Sequence, residues 1–296
     1  MKLLVTGRDG QLGWELSRAL QPLGKVVALG RVDADLAAPD SLRDRVLQER
    51  PAVIVNAAAY TAVDKAESEP DLAMRINGAA PAELARAARD TGALLIHYST
   101  DYVFDGSKES PYLEDDLPNP ISQYGRSKLC GERAIAESGC RYAILRTQWV
   151  FGSHGGNFLR TMLRLAGERE CLRIVSDQFG APTSARLIAD VTAQMLGRLA
   201  AGEVAPEGVH HLAAAGRVSW YDYASFVVAT ARTLPALAEG LKVKSIEPIA
   251  TADYPLPATR PLNACFDCGK LERAFGLTLP PWQRGVELCL AELAAR

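Results

Sequence analysis

The first thirteen residues constrain this chain more than any other stretch. Lys2-Leu3-Leu4-Val5-Thr6 reads as a short strand, and Gly7-Arg8-Asp9-Gly10-Gln11-Leu12-Gly13 follows it at once. Helical spacing then takes over, with Leu12, Leu16, Ala19 and Leu20 on one face. Strand, glycine turn and helix in that order open a dinucleotide-binding unit. The glycines allow a tight turn, close approach of a pyrophosphate and close helix–sheet packing. The helix N-terminus offers free N–H groups to the phosphates. The spacing is Gly-x-x-Gly-x-x-Gly, not Gly-x-Gly-x-x-Gly. What gives the motif weight is its place after the first strand.

Strands and helices keep alternating after that. Lys25-Val26-Val27-Ala28-Leu29 reads as a second strand ending at Gly30-Arg31, with Asp33 and Asp35 beyond. A helix over Asp40 to Glu49 is stopped by Pro51. Ala52 to Asn56 reads as a third strand, running into Ala57-Ala58-Ala59-Tyr60-Thr61, small residues that let a ligand approach the backbone. One helix is expected from about Asp71 to Arg89, carrying Asn77. Ala93-Leu94-Leu95-Ile96 opens a fourth strand that leads to Thr100, and Tyr142 to Arg146 reads as a fifth. This alternation predicts parallel pairing with right-handed crossovers. The expected fold class is α/β: a Rossmann-like doubly wound parallel sheet with a smaller C-terminal α/β substrate domain. The expected division is 1–150 for the nucleotide-binding domain and 151–296 mainly for the substrate domain, with some elements returning to the first. The second half is less regular. It carries a glycine- and aromatic-rich loop from Trp149 to Phe158, a helix from about Asn157 to Arg169, and a final helix running to Ala295.

Composition excludes several function classes. The net charge is -2, with no basic run and no acidic tail, so neither nucleic acid nor a membrane surface is an expected partner. No leader and no apolar run of spanning length is apparent, so a cytoplasmic location is expected. Cys265-x-x-Cys268 lacks the second pair or His partner of a zinc site, and the six cysteines read as reduced structural thiols. His97 reads as packed in a strand end. His210-His211 reads as a short strand with no third ligand, so no metal site is assigned.

The chemistry concentrates in Ser99-Thr100-Asp101-Tyr102-Val103-Phe104-Asp105-Gly106, with Tyr124 and Lys128 downstream. Ser99 and Thr100 fall at the carboxyl end of a strand, where open α/β sheets place their ligands. Tyr124 and Lys128 share one face of an expected helix. A free phenol titrates near pH 10, and a fixed cation beside it favours its anion and lowers that value. Such a Tyr can give or take a proton near neutrality. Tyr-x-x-x-Lys alone is not specific, since a surface Tyr along a Lys stem has the same spacing. The conjunction with the glycine turn and the strand-end hydroxyl gives it force.

Six motifs point to one family: Thr-Gly-Arg-Asp-Gly-Gln-Leu-Gly (6 to 13), Asn-Ala-Ala-Ala-Tyr-Thr-Ala-Val-Asp-Lys-Ala-Glu (56 to 67), Ser-Thr-Asp-Tyr-Val-Phe-Asp-Gly (99 to 106), Tyr-Gly-Arg-Ser-Lys (124 to 128), Arg-Thr-Gln-Trp-Val-Phe (146 to 151) and Asp-Gln-Phe-Gly-Ala-Pro-Thr (177 to 183). With them the chain resembles the extended short-chain dehydrogenase/reductase family, and within it the dTDP-4-dehydrorhamnose reductases. That resemblance implies an NAD(P)H-dependent oxidoreductase. It would reduce the C4 keto group of dTDP-4-dehydro-L-rhamnose, the last step of dTDP-L-rhamnose synthesis for cell-surface carbohydrate. Tyr124 would be the general acid, Lys128 would lower its pKa and hold the nicotinamide ribose, and Thr100 would hydrogen-bond the same oxygen. Gly7, Gly10, Gln11, Leu12 and Gly13 would meet the pyrophosphate, while Asp35 and Leu36 would border the adenine. Ala59, Tyr60, Thr61 and Tyr98 would line the cofactor. Asp101, Tyr102 and Trp149 would touch the nucleotide-sugar substrate.

Cofactor choice is read from the end of the second strand. An acid there would hold a ribose 2′-OH, but Gly30 takes its place and Arg31 follows. A guanidinium suits a 2′-phosphate, so NADPH is expected, with NADH also accepted. Some family members carry Mg2+ at a subunit contact. Glu15, Glu287 and Glu292 are the conceivable ligands, although isolated helix glutamates are usually solvated, and a homodimer fits the same picture. Two other readings stay open: a sugar-nucleotide epimerase or dehydratase of the same superfamily, and a non-catalytic NAD(P)-binding regulatory subunit.

Overall fold

The computed structural model describes residues 1–203 and 207–296. β1 (Lys2–Thr6), β2 (Lys25–Leu29), β3 (Val53–Asn56), β4 (Leu94–Thr100) and β5 (Arg141–Thr147) all pair in parallel. A further strand, Gly208–His211, joins the outer side of β5, also in parallel. From that edge the order runs inward through β5, β4, β3 and β1 to β2. The chain leaves β1 in one direction to form β2 and returns on the other side as β3. The switch point therefore lies between β1 and β3, and their carboxyl ends open a crevice there.

Successive strand residues face opposite sides of the sheet, and both sides are buried. Leu3, Val5, Val55, Ile96 and Leu145 pack into one core, beneath α1 (Gln11–Ala19) and the helix Ala185–Ala200, which contribute Leu16, Ile188 and Met195. Leu4, Ile54, Leu95 and Ile144 pack into the other, beneath α2 (Pro39–Glu49) and the helix Ala80–Thr91, which contribute Leu42, Val46 and Leu84. Each such aliphatic side chain contributes about 1.5–3 kcal/mol when fully buried.

The single helix expected from 71 to 89 is three pieces: Pro70–Met74, a wide π turn over Arg75–Ala79, and Ala80–Thr91. The turn swings the Asn77 amide inward, where it accepts from Tyr60 N at 2.9 Å and donates to Tyr60 O and to Ser127 Oγ, each at 3.0 Å. The Asn77 carbonyl meanwhile fills the space beside Gly131, where a Cβ would lie only 2.2 Å away.

A third core gathers much of the second half. The helices Phe158–Glu168, Trp220–Arg232 and Trp282–Ala294 bury Leu159, Tyr223, Val227 and Val286 against a parallel pair, Cys171–Val175 with Ser245–Ile249. No described helix is long and apolar enough to cross a membrane.

Candidate active site

The glycine turn is built on backbone contact. Gly10 N donates to Gly7 O at 2.9 Å. Gly7 has φ +76°, and a Cβ there would sit 2.9 Å from Ala58 N. Only glycine lets β1 and the end of β3 approach this closely. A Cβ on Gly13 would lie 1.9 Å from Gly7 O. Gly13 therefore packs α1 onto the turn and is not among the residues lining the cavity beside it.

That cavity, of 520 Å³, opens at the switch point. Gly7, Gly10, Gln11 and Leu12 form one wall, and Arg31, Asp35 and Leu36 form its far end. Ala59, Thr61 and Tyr98 line it as well, and Tyr124 and Lys128 close its inner end. Tyr60 does not line it: its hydroxyl donates to Glu69 Oε2 at 2.6 Å, and its backbone is clamped by Asn77. Sequence reasoning missed Val150, Gly155 and Gly156, which reach the cavity from the second half of the chain. A signal was there, since Ser-His-Gly-Gly-Asn (153 to 157) is flexible backbone between aromatic residues. Asn157 ties this loop down by donating to Gln11 Oε1 at 2.9 Å.

The Tyr124 helix, Gln123–Glu137, is capped by Ser122, whose Oγ accepts from Gly125 N at 3.1 Å. A Cβ on Gly125 would lie 2.2 Å from Tyr102 O, so this glycine lets the helix start pack onto the turn that follows Thr100. Tyr124 is buried, with its ring edge-on to Tyr102 at 5.4 Å between centroids. Thr100 ends β4, and its hydroxyl lies against the Tyr124 phenol. It donates to Asp101 Oδ1 at 2.9 Å and accepts from Tyr102 N at 3.2 Å. Asp101, expected against the substrate, is 3% exposed and is held by the Thr100 hydroxyl.

Lys128 is 2% exposed. Its ammonium donates to Tyr98 O at 2.6 Å and lies 3.3 Å from His97 Nε2. Burial pulls it down to about 8. Burial, with Lys128 beside it, also pushes His97 well below the usual imidazole range, so His97 is neutral. The expected depression of the Tyr124 pKa by Lys128 is corrected here. Burial raises the phenol, the Thr100 hydroxyl opposes that rise, and the Asp101 charge adds to it. The sequence expectation for His97 is a packed strand residue. It is fully packed, and it also joins a buried polar chain: Thr6 Oγ1 donates to Asn56 Oδ1 at 2.6 Å, and the Asn56 amide lies 3.0 Å from His97 Nδ1.

Trp149 has φ +45°, a costly conformation for a bulky residue. It stacks on Trp220 with ring centroids 3.5 Å apart, so one face is already covered. Gly180 sits beneath its edge, where a Cβ would lie 2.6 Å from Trp149 Cε2. Arg260 bonds Asp64 through its two terminal guanidinium nitrogens, Nη1 and Nη2, at 3.0 and 2.9 Å, and so fixes the 258–260 segment against the start of the helix Val63–Ala66.

The glutamates considered for Mg2+ are engaged otherwise. Glu15 pairs with Arg18, Glu292 with Arg186 and Arg296, and Glu287 with Arg284. No group of three or more His, Cys, Asp or Glu side chains placed to hold a metal occurs among the described residues. All six cysteines are free.

Comparison with known proteins shows what the whole chain is similar to. The family model described as RmlD substrate binding domain matches residues 1–295. The chain is 51% identical to a dTDP-4-dehydrorhamnose reductase of Burkholderia thailandensis, over 100% of both chains. It is similar to the crystal structure of a dTDP-4-dehydrorhamnose reductase from Clostridium acetobutylicum, with a TM-score of 0.90 at 35% identity and 99% of each chain covered. It is also similar to that of Bacillus anthracis, solved in complex with NADP, with a TM-score of 0.87 at 33% identity, covering 98% of this chain and 99% of that one. A match of this extent means that the chain belongs to the dTDP-4-dehydrorhamnose reductase family.

Proposed function

We propose that this protein is an NAD(P)H-dependent reductase that converts the C4 keto group of dTDP-4-dehydro-L-rhamnose into the hydroxyl of dTDP-L-rhamnose. One observation carries the reading: Tyr124 and Lys128 close the inner end of a cavity whose wall is the Gly7–Leu12 turn, with the Thr100 hydroxyl against the phenol.

The residues fit a dinucleotide. The cavity volume of 520 Å³ is within the usual range for small-molecule sites. Gly10 is the N-cap of α1 and gives no side-chain cap, so the helix's first N–H groups are left for a pyrophosphate. When bound, the reduced nicotinamide supplies the hydride. Tyr124 gives its phenolic proton to the substrate oxygen as negative charge develops there. The Thr100 hydroxyl is placed to stabilise that charge. Lys128, fixed by Tyr98 O and His97, stands four residues along the same helix face and stabilises the phenolate that results. Val150 and Gly155–Gly156 line the same cavity from the second half of the chain.

Arg31 supports NADPH as the preferred cofactor, with NADH accepted less well. Its side chain is 78% exposed at the far end of the cavity, 3.8 Å from Asp35. Arg8, a second cation, packs against Gly30, which lines the cavity; it bonds Ala28 O at 3.2 Å and Asp33 at 3.0 Å.

The deciding experiment is a turnover assay with NADPH and a panel of dTDP- and other nucleotide-linked 4-keto sugars. A reductase consumes reduced cofactor in step with product. An epimerase shows no net consumption, a regulatory subunit shows no turnover, and either result refutes the proposal.

A further inference from the structure

The Thr100 hydroxyl has one proton and two lone pairs. One lone pair is occupied, because Tyr102 N donates to Oγ1 at 3.2 Å. Asp101 Oδ1 lies 2.9 Å away on another side. The second carboxyl oxygen, Oδ2, is buried with no hydrogen-bond partner. Asp101 as a whole is 3% exposed and forms no ion pair among the described residues.

Three titratable groups are coupled to this carboxyl, and all three are neutral when protonated. Tyr102 stands on the same turn, Tyr124 faces it from the helix, and Cys265 faces it from the far side. Burial raises all three. The nearby cations are engaged elsewhere: Arg260 with Asp64, Lys128 with Tyr98 O and His97, and Arg217 over the Phe179 ring. Burial pushes the Asp101 carboxyl itself up to about 7. An orphaned buried oxygen costs far less on a neutral carboxylic acid than on a carboxylate.

The two protonation states of Asp101 give Thr100 different jobs. A carboxylate only accepts, so it takes the single Thr100 proton and leaves the hydroxyl nothing to donate elsewhere. A carboxylic acid donates to Thr100 Oγ1 and fills the second lone pair. The Thr100 proton is then forced toward the remaining neighbour, the oxygen beside the Tyr124 phenol.

We propose that Asp101 is a positioning residue that works in its protonated form, turning the Thr100 hydroxyl into a donor toward the oxygen that Tyr124 protonates. The identity of that oxygen as a sugar carbonyl rests on the reductase reading above. Asp101 keeps its proton through the cycle, and the proton gained by the substrate comes from Tyr124.

Two measurements test this. The first is kcat against pH for the wild type and for Asp101→Asn, whose amide donates to Thr100 at every pH. The wild type falls about tenfold per pH unit above the Asp101 titration, whereas the variant holds its plateau until Lys128 loses its proton at about 8. An onset that Asp101→Asn leaves unmoved overturns the proposal. The second is a carboxyl-carbon NMR titration of the protein without substrate. Asp101 titrates near neutrality, and Thr100→Val moves it higher, because the donor that stabilises the carboxylate is gone. A titration in the ordinary range, near about 4, overturns the proposal. If no 4-keto sugar is turned over, the reductase reading fails, and the NMR titration still decides whether Asp101 holds its proton against Thr100.

Discussion

The Lys128 ammonium donates to the Tyr98 carbonyl oxygen at 2.6 Å, with the side chain almost wholly buried. No carboxylate pairs with it among the described residues. Its pKa is depressed from 10.5 to about 8. A depressed value means that the folded chain gives up this proton before the unfolded chain does. The stability linked to it is fully present above pH 10.5 and is lost as pH falls through about 8. At pH 7 the protein carries that cost in full. Lys128→Met therefore raises Tm at neutral pH, with a gain of up to about 3 kcal/mol at 1.36 kcal/mol per pKa unit. The same variant loses kcat and weakens cofactor binding. A Tm that falls at pH 7 refutes the stability claim.

Tyr124→Phe removes the proton donor and keeps the ring packed against Tyr102. The expected loss in kcat is about 100- to 10,000-fold, the usual range for a general acid. Cofactor affinity, measured by fluorescence titration, changes little. A kcat close to wild type excludes Tyr124 as the acid.

Arg31→Ala tests cofactor choice, because only NADPH carries the 2′-phosphate. Losing a charge-assisted contact costs about 1.5–3 kcal/mol, which is roughly a ten- to hundredfold loss in kcat/KM for NADPH. NADH is almost unaffected. If both cofactors suffer equally, Arg31 does not read the phosphate. Arg8→Ala then becomes the discriminating variant, since Arg8 also borders Gly30.

Gly131→Ala places a methyl 2.2 Å from the Asn77 carbonyl. The helix and the π turn must move apart, at a cost of about 1–3 kcal/mol. Asn77 holds the Tyr60 backbone beside the cavity. The variant should thus lower Tm and raise KM for the cofactor more than it lowers kcat. An unchanged Tm means that the turn has room the structure does not show.

The central sheet is legible in the apolar runs of the chain. β1 and β2 fall where their apolar runs stand, and β3, β4 and β5 lie within a few residues of theirs, because a strand buried on both faces writes itself as continuous hydrophobic sequence. Also legible is that Tyr124 and Lys128 share a helix face, since that follows from helical geometry alone. Tertiary structure decided the rest. The 71–89 stretch carries a helical pattern throughout, and its π turn comes from bonds to Tyr60 and Ser127, 17 and 50 residues away. The helix Ala185–Ala200 has a broad apolar face, but only packing assigned that face to the sheet beside α1. The Lys128 charge was legible, yet its effect on Tyr124 was not. Local spacing sets which groups share a face, whereas a pKa depends on how much water every surrounding segment removes, and here burial raises the phenol with only the Thr100 hydroxyl opposing it.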